Sequence, residues 1–273
     1  MTRDDELFEQ MRTQGWAVLR QVVPSEIVDA CIAEYEATVK PYEGEALRQS
    51  TNPEKHILSE AGHIVNGLLN SHIPGQCPPL DSFSRTVLAV VTHDNLQAAI
   101  RRLSGRQTAS CMQTMVFDFS PATMAHQDCV YLDSVPSGAM IAAWVALEDI
   151  AEDAGRFYVL PLDQTPPLPP FSREEVFEQH SYMPAVERIM TEHAGKLIAP
   201  ALNKGDAIFW SSRTIHGAFA AADPARSRRS IAAHYVPEGY DFGNVWGRIY
   251  RPKTQTVNGM TVRMPRLTPA PTD

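Results

Sequence analysis

The chain of 273 residues is short of positive charge: 24 Lys plus Arg stand against 32 Asp plus Glu, a formal net charge of −8. Phosphate backbones are met by a basic stripe, so bulk binding to nucleic acid is not expected. No apolar run approaches the roughly 18 residues of a membrane span, so none is expected. The opening stretch, residues 1–16, has no apolar h-region, and no signal peptide is expected. The four cysteines, Cys31, Cys77, Cys111 and Cys129, form no CxxC pair and no zinc-knuckle or disulfide spacing. Reduced thiols in a cytoplasmic protein is the simplest reading. Cys129 is read as a small buried residue.

What is present is globular. A hydrophobic share of 44% with 21% charged residues excludes disorder as a global description. The length suits one large domain, 1–273, with a helical part (1–105), a strand-rich core (106–240) and a Pro- and Thr-rich tail (241–273). Residues 5–13 read as a helix and Trp16–Leu19 as a short strand. Ser25 reads as the N-cap of a helix from Glu26 to Val39, with Ile27, Val28, Cys31, Ile32 and Tyr35 on one face. Residues 40–80 read as irregular with a short helix near Ile64–Leu69. A helix spans Ser82–Leu103 with a break near Thr92–Asn95.

After Gly105 the pattern changes to strands. Ser110–Phe119, Ala139–Leu147, Arg156–Leu160, Asp206–Trp210 and Arg229–Val236 each fit a strand, and residues 165–195 form a Pro-rich insertion followed by a helix. Helices first and many short strands after predict an α+β chain with a jelly-roll core. The tail from Arg251 is either loose or folded back over the core.

The chemistry concentrates in His126-Gln127-Asp128 and in the distal His216-Gly217. Strand side chains at i and i+2 share a face, so His126 and Asp128 can reach one ion. Two imidazoles and one carboxylate hold Fe(II) on one octahedral face and leave positions open. The same set also suits zinc and hydrolysis. A His-x-Asp tripeptide alone is weak, because such tripeptides are common by chance. Downstream lie Arg226, Arg228 and Arg229; an Arg at the start of the next strand can clamp a carboxylate with its planar fork.

In this order the motifs resemble the phytanoyl-CoA dioxygenase family of Fe(II)/2-oxoglutarate oxygenases. Gly15–Leu19 with Val23–Glu26 resembles the family's first strand and helix. Met112–Met115 resembles the strand before the metal motif, and His126-Gln127-Asp128 its HQD form. Ala143–Glu148 with Gly155 and Val159-Leu160-Pro161 resembles the central segment. His216-Gly217 and Arg228-Arg229-Ser230 resemble the distal part. The likeness spans roughly residues 13–238 and departs at Leu162-Asp163-Gln164, where relatives carry a Gly-Ser-His type turn, and at Ala218, where relatives can carry a hydroxyl residue.

The resemblance implies a double-stranded β-helix (cupin-like) core with N-terminal helices packed outside. It implies Fe(II) held by His126, Asp128 and His216, with 2-oxoglutarate and O2 as cosubstrates. Arg228 would bind the distal carboxylate of 2-oxoglutarate, with Arg229 the alternative by one register. Trp144 would line the cosubstrate pocket and Gln113 would offer it a polar contact. Met115, Phe117, Tyr131 and Phe157, with the 56–80 and 165–185 loops, are candidates for the substrate wall; core packing is the competing role for each.

The expected activity is oxidation of an unactivated C–H bond of a small-molecule metabolite, a secondary-metabolism intermediate among the candidates. Hydroxylation leads desaturation and rearrangement, because Asp128 stands where related halogenases have a small residue. No Lys/Arg cluster for CoA phosphates surrounds the motifs. A metal-dependent hydrolase or isomerase and a non-catalytic jelly-roll binding protein are the rival readings. The N-terminal helix and the C-terminal tail are candidate surfaces for a homodimer. His234 is read as packing.

Overall fold

The structure is a computed structural model that describes residues 3–177 and 181–264. Positions 178–180, within the Pro-rich insertion, and 265–273, in the tail, lie outside the described residues.

The first third carries the helices. Helix α1 (Arg3–Gln14) leads into strand β1 (Trp16–Leu19), and α2 (Ser25–Glu34) follows, relaxing into a π-helical turn at Tyr35–Val39. Pro24, not Ser25, takes the N-cap position of α2, and no side chain caps it. The Pro24 carbonyl accepts from the amides of Ile27 and Val28, and its fixed φ of −56° suits a helix start that needs no N–H. Val28, Cys31 and Tyr35 are buried on the inner face, as the periodicity predicts.

Strands β2 (Ala46–Leu47) and β3 (Pro53–Glu54) form a small ribbon. The expected helix near Ile64–Leu69 is absent. Leu68–Leu69 is instead strand β4, antiparallel to Met115 and Val116. A sheet edge supplies the hydrogen bonds that a six-residue helix without caps could not make for itself. Helices α3 (Asp81–Val91) and α4 (Asp94–Ser104) then occupy the predicted span, with the break at the predicted place.

The strands that follow are β5 (Ala109–Phe117), β6 (Pro121–His126), β7 (Asp133–Val135), β8 (Ile141–Ala146) and β9 (Phe157–Leu160). After α5 (Arg173–Phe177) and α6 (Tyr182–Glu192) come β10 (Ala207–Ser211), β11 (Ile215–Ala220), β12 (Ser230–Pro237) and β13 (Asp241–Gly243). The hairpin β14 (Thr254–Val257) and β15 (Met260–Arg263) closes the described chain.

The large sheet runs β1-β10-β8-β12-β5-β15-β14, with β4 also on β5; the small sheet is β6-β11-β9, and β13 pairs β7. Strand alternation sorts the core into two layers. Ala143, Val145, Phe209, Ile231 and Ala233 pack outward against α1–α4. Ala142, Trp144, Ile208, Trp210 and Ala232 pack inward with Phe157 and Val159 of the small sheet. This is the jelly-roll of the α+β class that the order of elements predicts. The tail folds back: β15 joins β5 in parallel, Thr261 beside Ser110. Among the described residues no helix is long and apolar enough to cross a membrane.

Candidate metal and cosubstrate site

His126 closes β6, and Asp128 opens the 3-10 turn that follows. Gln127 between them is extended (φ −109°, ψ 136°), so the i, i+2 geometry survives the end of the strand. His216 on β11 is the cross-strand partner of His126. One ligand-capable atom from each of His126, Asp128 and His216 lies within 4.8 Å of the others. Asp128 Oδ1 is 3.7 Å from His126 Nε2 and 3.5 Å from His216 Nε2.

The unused atoms are committed elsewhere. His126 Nδ1 lies 2.8 Å from the Met124 carbonyl and His216 Nδ1 2.9 Å from the Thr214 carbonyl. A carbonyl only accepts, so each Nδ1 carries the proton and each Nε2 turns its lone pair inward. Trp210 Nε1 donates to Asp128 Oδ2 at 2.8 Å, which leaves Oδ1 facing the two imidazoles. Burial alone would raise the Asp128 carboxyl; the neighbouring imidazoles of His216, His234 and His126 overcome it and hold it well below the ordinary carboxylate range. An ionised carboxylate and two neutral imidazoles form a donor set that fits Fe(II).

Arg228 and Arg229 separate cleanly. They are adjacent in an extended lead-in to β12, so they face opposite sides of the sheet. Arg228 is 2% exposed and points inward; its guanidinium carbon sits 5.5 Å from the ring centroids of both Phe117 and Trp144. Its Nη1 donates to the Gly155 carbonyl at 3.3 Å, and its Nε has no partner. Burial lowers its pKa to about 10. A buried cation with an idle donor fits a carboxylate ligand. Arg229 turns outward, donates to Asp118 Oδ1 at 3.1 Å and pairs with Glu36.

Two connected cavities meet at the triad. The inner one is lined by Arg228, Trp144, Phe117, Phe157 and His216. The outer one, about 1300 Å³, carries Gln113 and Tyr131, and Met115 lines both. Phe157 stacks on His216 at 5.6 Å, and Tyr131 meets His126 edge-on at 5.7 Å. Gln113 therefore lies in the outer cavity and away from Arg228. It pairs with His234, four residues along β5 from Phe117, which pairs with Ser230. From the 56–80 loop Leu69, Asn70, Ile73, Gly75 and Gln76 reach the outer cavity; from 165–185 only Met183 does so among the described residues.

His234 corrects the sequence reading. It is 1% exposed, and its Nε2 is 3.4 Å from Asp128 Oδ2. Neither ring nitrogen has a hydrogen-bond partner, and the ring lines both cavities. The period-2 step from Arg228 through Ala232 to His234 was the available signal, since these positions share the inward face.

Gly155 connects this site to stability. Its φ is +80°, and a Cβ there would lie 2.4 Å from the Phe219 carbonyl oxygen and 2.9 Å from the Ala221 amide. These are backbone atoms that cannot step aside. Gly155→Ala is expected to lower Tm by roughly 5 °C or more in a calorimetric scan. An unchanged Tm would contradict the close approach.

A jelly-roll with converging imidazoles and a carboxylate at its mouth, and a buried cation behind them, is the layout of the cupin-like 2-oxoglutarate oxygenases. The chain belongs to the phytanoyl-CoA dioxygenase (PhyH) family, whose profile matches residues 11–230. It is an Fe(II)- and 2-oxoglutarate-dependent dioxygenase. Among solved structures, the epimerase SnoN from nogalamycin biosynthesis, in complex with Fe3+, α-ketoglutarate and nogalamycin RO, is similar at 19% identity. The match has a TM-score of 0.62 and covers 89% of this chain and 86% of that one. The carbocyclase SnoK from the same biosynthesis matches at 17% identity and TM-score 0.62, over 89% and 87%. EctD from S. alaskensis with bound Fe matches at 13% identity and TM-score 0.59, over 92% and 80%. These identities carry the fold alone. No curated protein matches the chain in sequence.

Proposed function

We propose that the protein oxidises an unactivated C–H bond of a small-molecule natural-product intermediate, hydroxylation being the favoured outcome. His126, Asp128 and His216 hold the iron, and Arg228 holds the far carboxylate of 2-oxoglutarate. The observation that carries this reading is the meeting of three ligand atoms within 4.8 Å beside a buried Arg whose Nε is idle. Bound iron, with 2-oxoglutarate and dioxygen, supplies the oxidant, and succinate and CO2 leave as co-products.

The chain's own residues do the positioning. The Arg228 fork orients the cosubstrate in a pocket whose walls, Trp144, Phe117 and Phe157, are aromatic and exclude water. Trp210 keeps Oδ2 of Asp128 occupied so that one oxygen faces the iron. A natural-product substrate is supported by the similarity to SnoN and SnoK, both from nogalamycin biosynthesis.

The test is succinate release and oxygen uptake on addition of Fe(II) and 2-oxoglutarate. A metal hydrolase or isomerase needs neither cosubstrate and produces no succinate. Trp210→Phe keeps an aromatic ring, a smaller one, and removes the N–H. It is expected to weaken metal binding by about 10- to 100-fold, measured by Co(II) titration of the colourless apoprotein. Unchanged affinity would show that this N–H does not serve the site.

A further inference from the structure

We propose that the substrate is a bulky ring scaffold bearing hydroxyl or carbonyl oxygens, read at its buried end by His234 and Gln113; this rests on the oxygenase reading above. His234 is nearly solvent-free and neither ring nitrogen makes a hydrogen bond; Nε2 has only Asp128 Oδ2 at 3.4 Å, and Nδ1 has nothing. Leaving a buried imidazole without partners costs free energy that a ligand oxygen can recover. Gln113 stands directly across from it on β5, and both line the outer cavity beside the metal ligands. The pair therefore presents donors and acceptors to a ligand in the outer cavity, beside the metal ligands that line it.

The rest of the cavity sets the size and the charge. At about 1300 Å³ it lies above the 300–1,000 Å³ of ordinary small-molecule sites, and an amino acid would leave it mostly filled with water. Its outer wall offers the flat rings of Tyr131, Phe242 and Tyr250, which suit stacking on a ring system. Asn70, whose buried Oδ1 has no hydrogen-bond partner, and Gln76 also line it, suited to ligand hydroxyls. Lysine is absent from the described lining; of its two arginines, Arg251 is already paired with Asp241 and Arg263 also has a partner. A CoA thioester, with its several phosphate charges, would find too few cations there.

The protein loaded anaerobically with Fe(II) and 2-oxoglutarate is expected to form a visible charge-transfer band that responds when a substrate enters. Four probes are titrated against it: daunomycinone, testosterone, palmitoyl-CoA and L-proline. A saturable change with at least one of the two ring probes, and none with palmitoyl-CoA or L-proline, is the expected result. His234→Leu and Gln113→Leu are each expected to weaken that binding by about tenfold or more. Gln113 touches no proposed metal ligand, so its variant isolates substrate binding from metal binding. A response to palmitoyl-CoA or L-proline, silence from both ring probes, or wild-type affinity in Gln113→Leu overturns the proposal. Failure of the band to form in the wild-type protein overturns the oxygenase reading instead, so the two failures are distinct.

Discussion

Asp128→Ala is expected to abolish both tight Fe(II) binding and 2-oxoglutarate-driven oxygen uptake. The carboxylate is the one anionic donor in the triad, and it faces two neutral imidazoles across 3.5 and 3.7 Å. Without it the iron would keep only His126 and His216, and its charge would be uncompensated in a buried site. The change also strips Trp210 Nε1 of its acceptor. Asp128→Asn separates the effects: it keeps the shape and an acceptor for Trp210 but removes the charge. Both variants are expected to fall below detection in succinate assays while the Asn variant keeps a near-normal Tm. Succinate formation by Asp128→Ala at the wild-type rate would sink the ligand assignment.

Arg228→Ala and Arg229→Ala are expected to fail in different ways. Arg228 reaches the inner cavity with an idle Nε, and Arg229 reaches Asp118 and Glu36 on the other side of the sheet. Removing one partner of a buried, hydrogen-bonded charge pair costs about 2–5 kcal/mol. Arg228→Ala should therefore raise the KM for 2-oxoglutarate on the order of 10²-fold or more. Its Tm should change little, because relief of a buried cation with an idle donor offsets the lost Gly155 hydrogen bond and aromatic contacts.

Arg229→Ala leaves Asp118, 1% exposed, with the Ile64 amide and a distant His63. A loss of about 3 kcal/mol of folding stability is expected there, seen in urea melts, with the KM for 2-oxoglutarate close to normal. Equal KM effects of the two variants would remove the assignment of Arg228.

The triad was legible because its chemistry is carried by residue type and local spacing. His126 and Asp128 needed only an extended Gln127 between them, and His216 followed from the resemblance. The strand set was legible for a similar reason: Ala139–Leu147 and Arg229–Val236 are apolar runs bounded by turn residues. Choosing between Arg228 and Arg229 needed the register of β12, which one sequence does not disclose when both neighbours are arginine. Strand β4 was missed because two leucines on a sheet edge carry no periodic signal; only the partner strand makes them a strand. His234 was missed because a histidine in an apolar strand normally packs, and its contact with Asp128 joins two elements far apart in sequence. Gln113 was read as a cosubstrate contact from the resemblance; its depth along β5 puts it across from His234 in the outer cavity.

The direct pairing of His126 with His216 across β6 and β11 has a consequence for how the protein matures. A slip of one residue between these strands would turn one imidazole away from the other. A chain that closed the small sheet out of step would lack a complete chelate, so the protein's metal content would track the fraction of molecules with these strands in the right register.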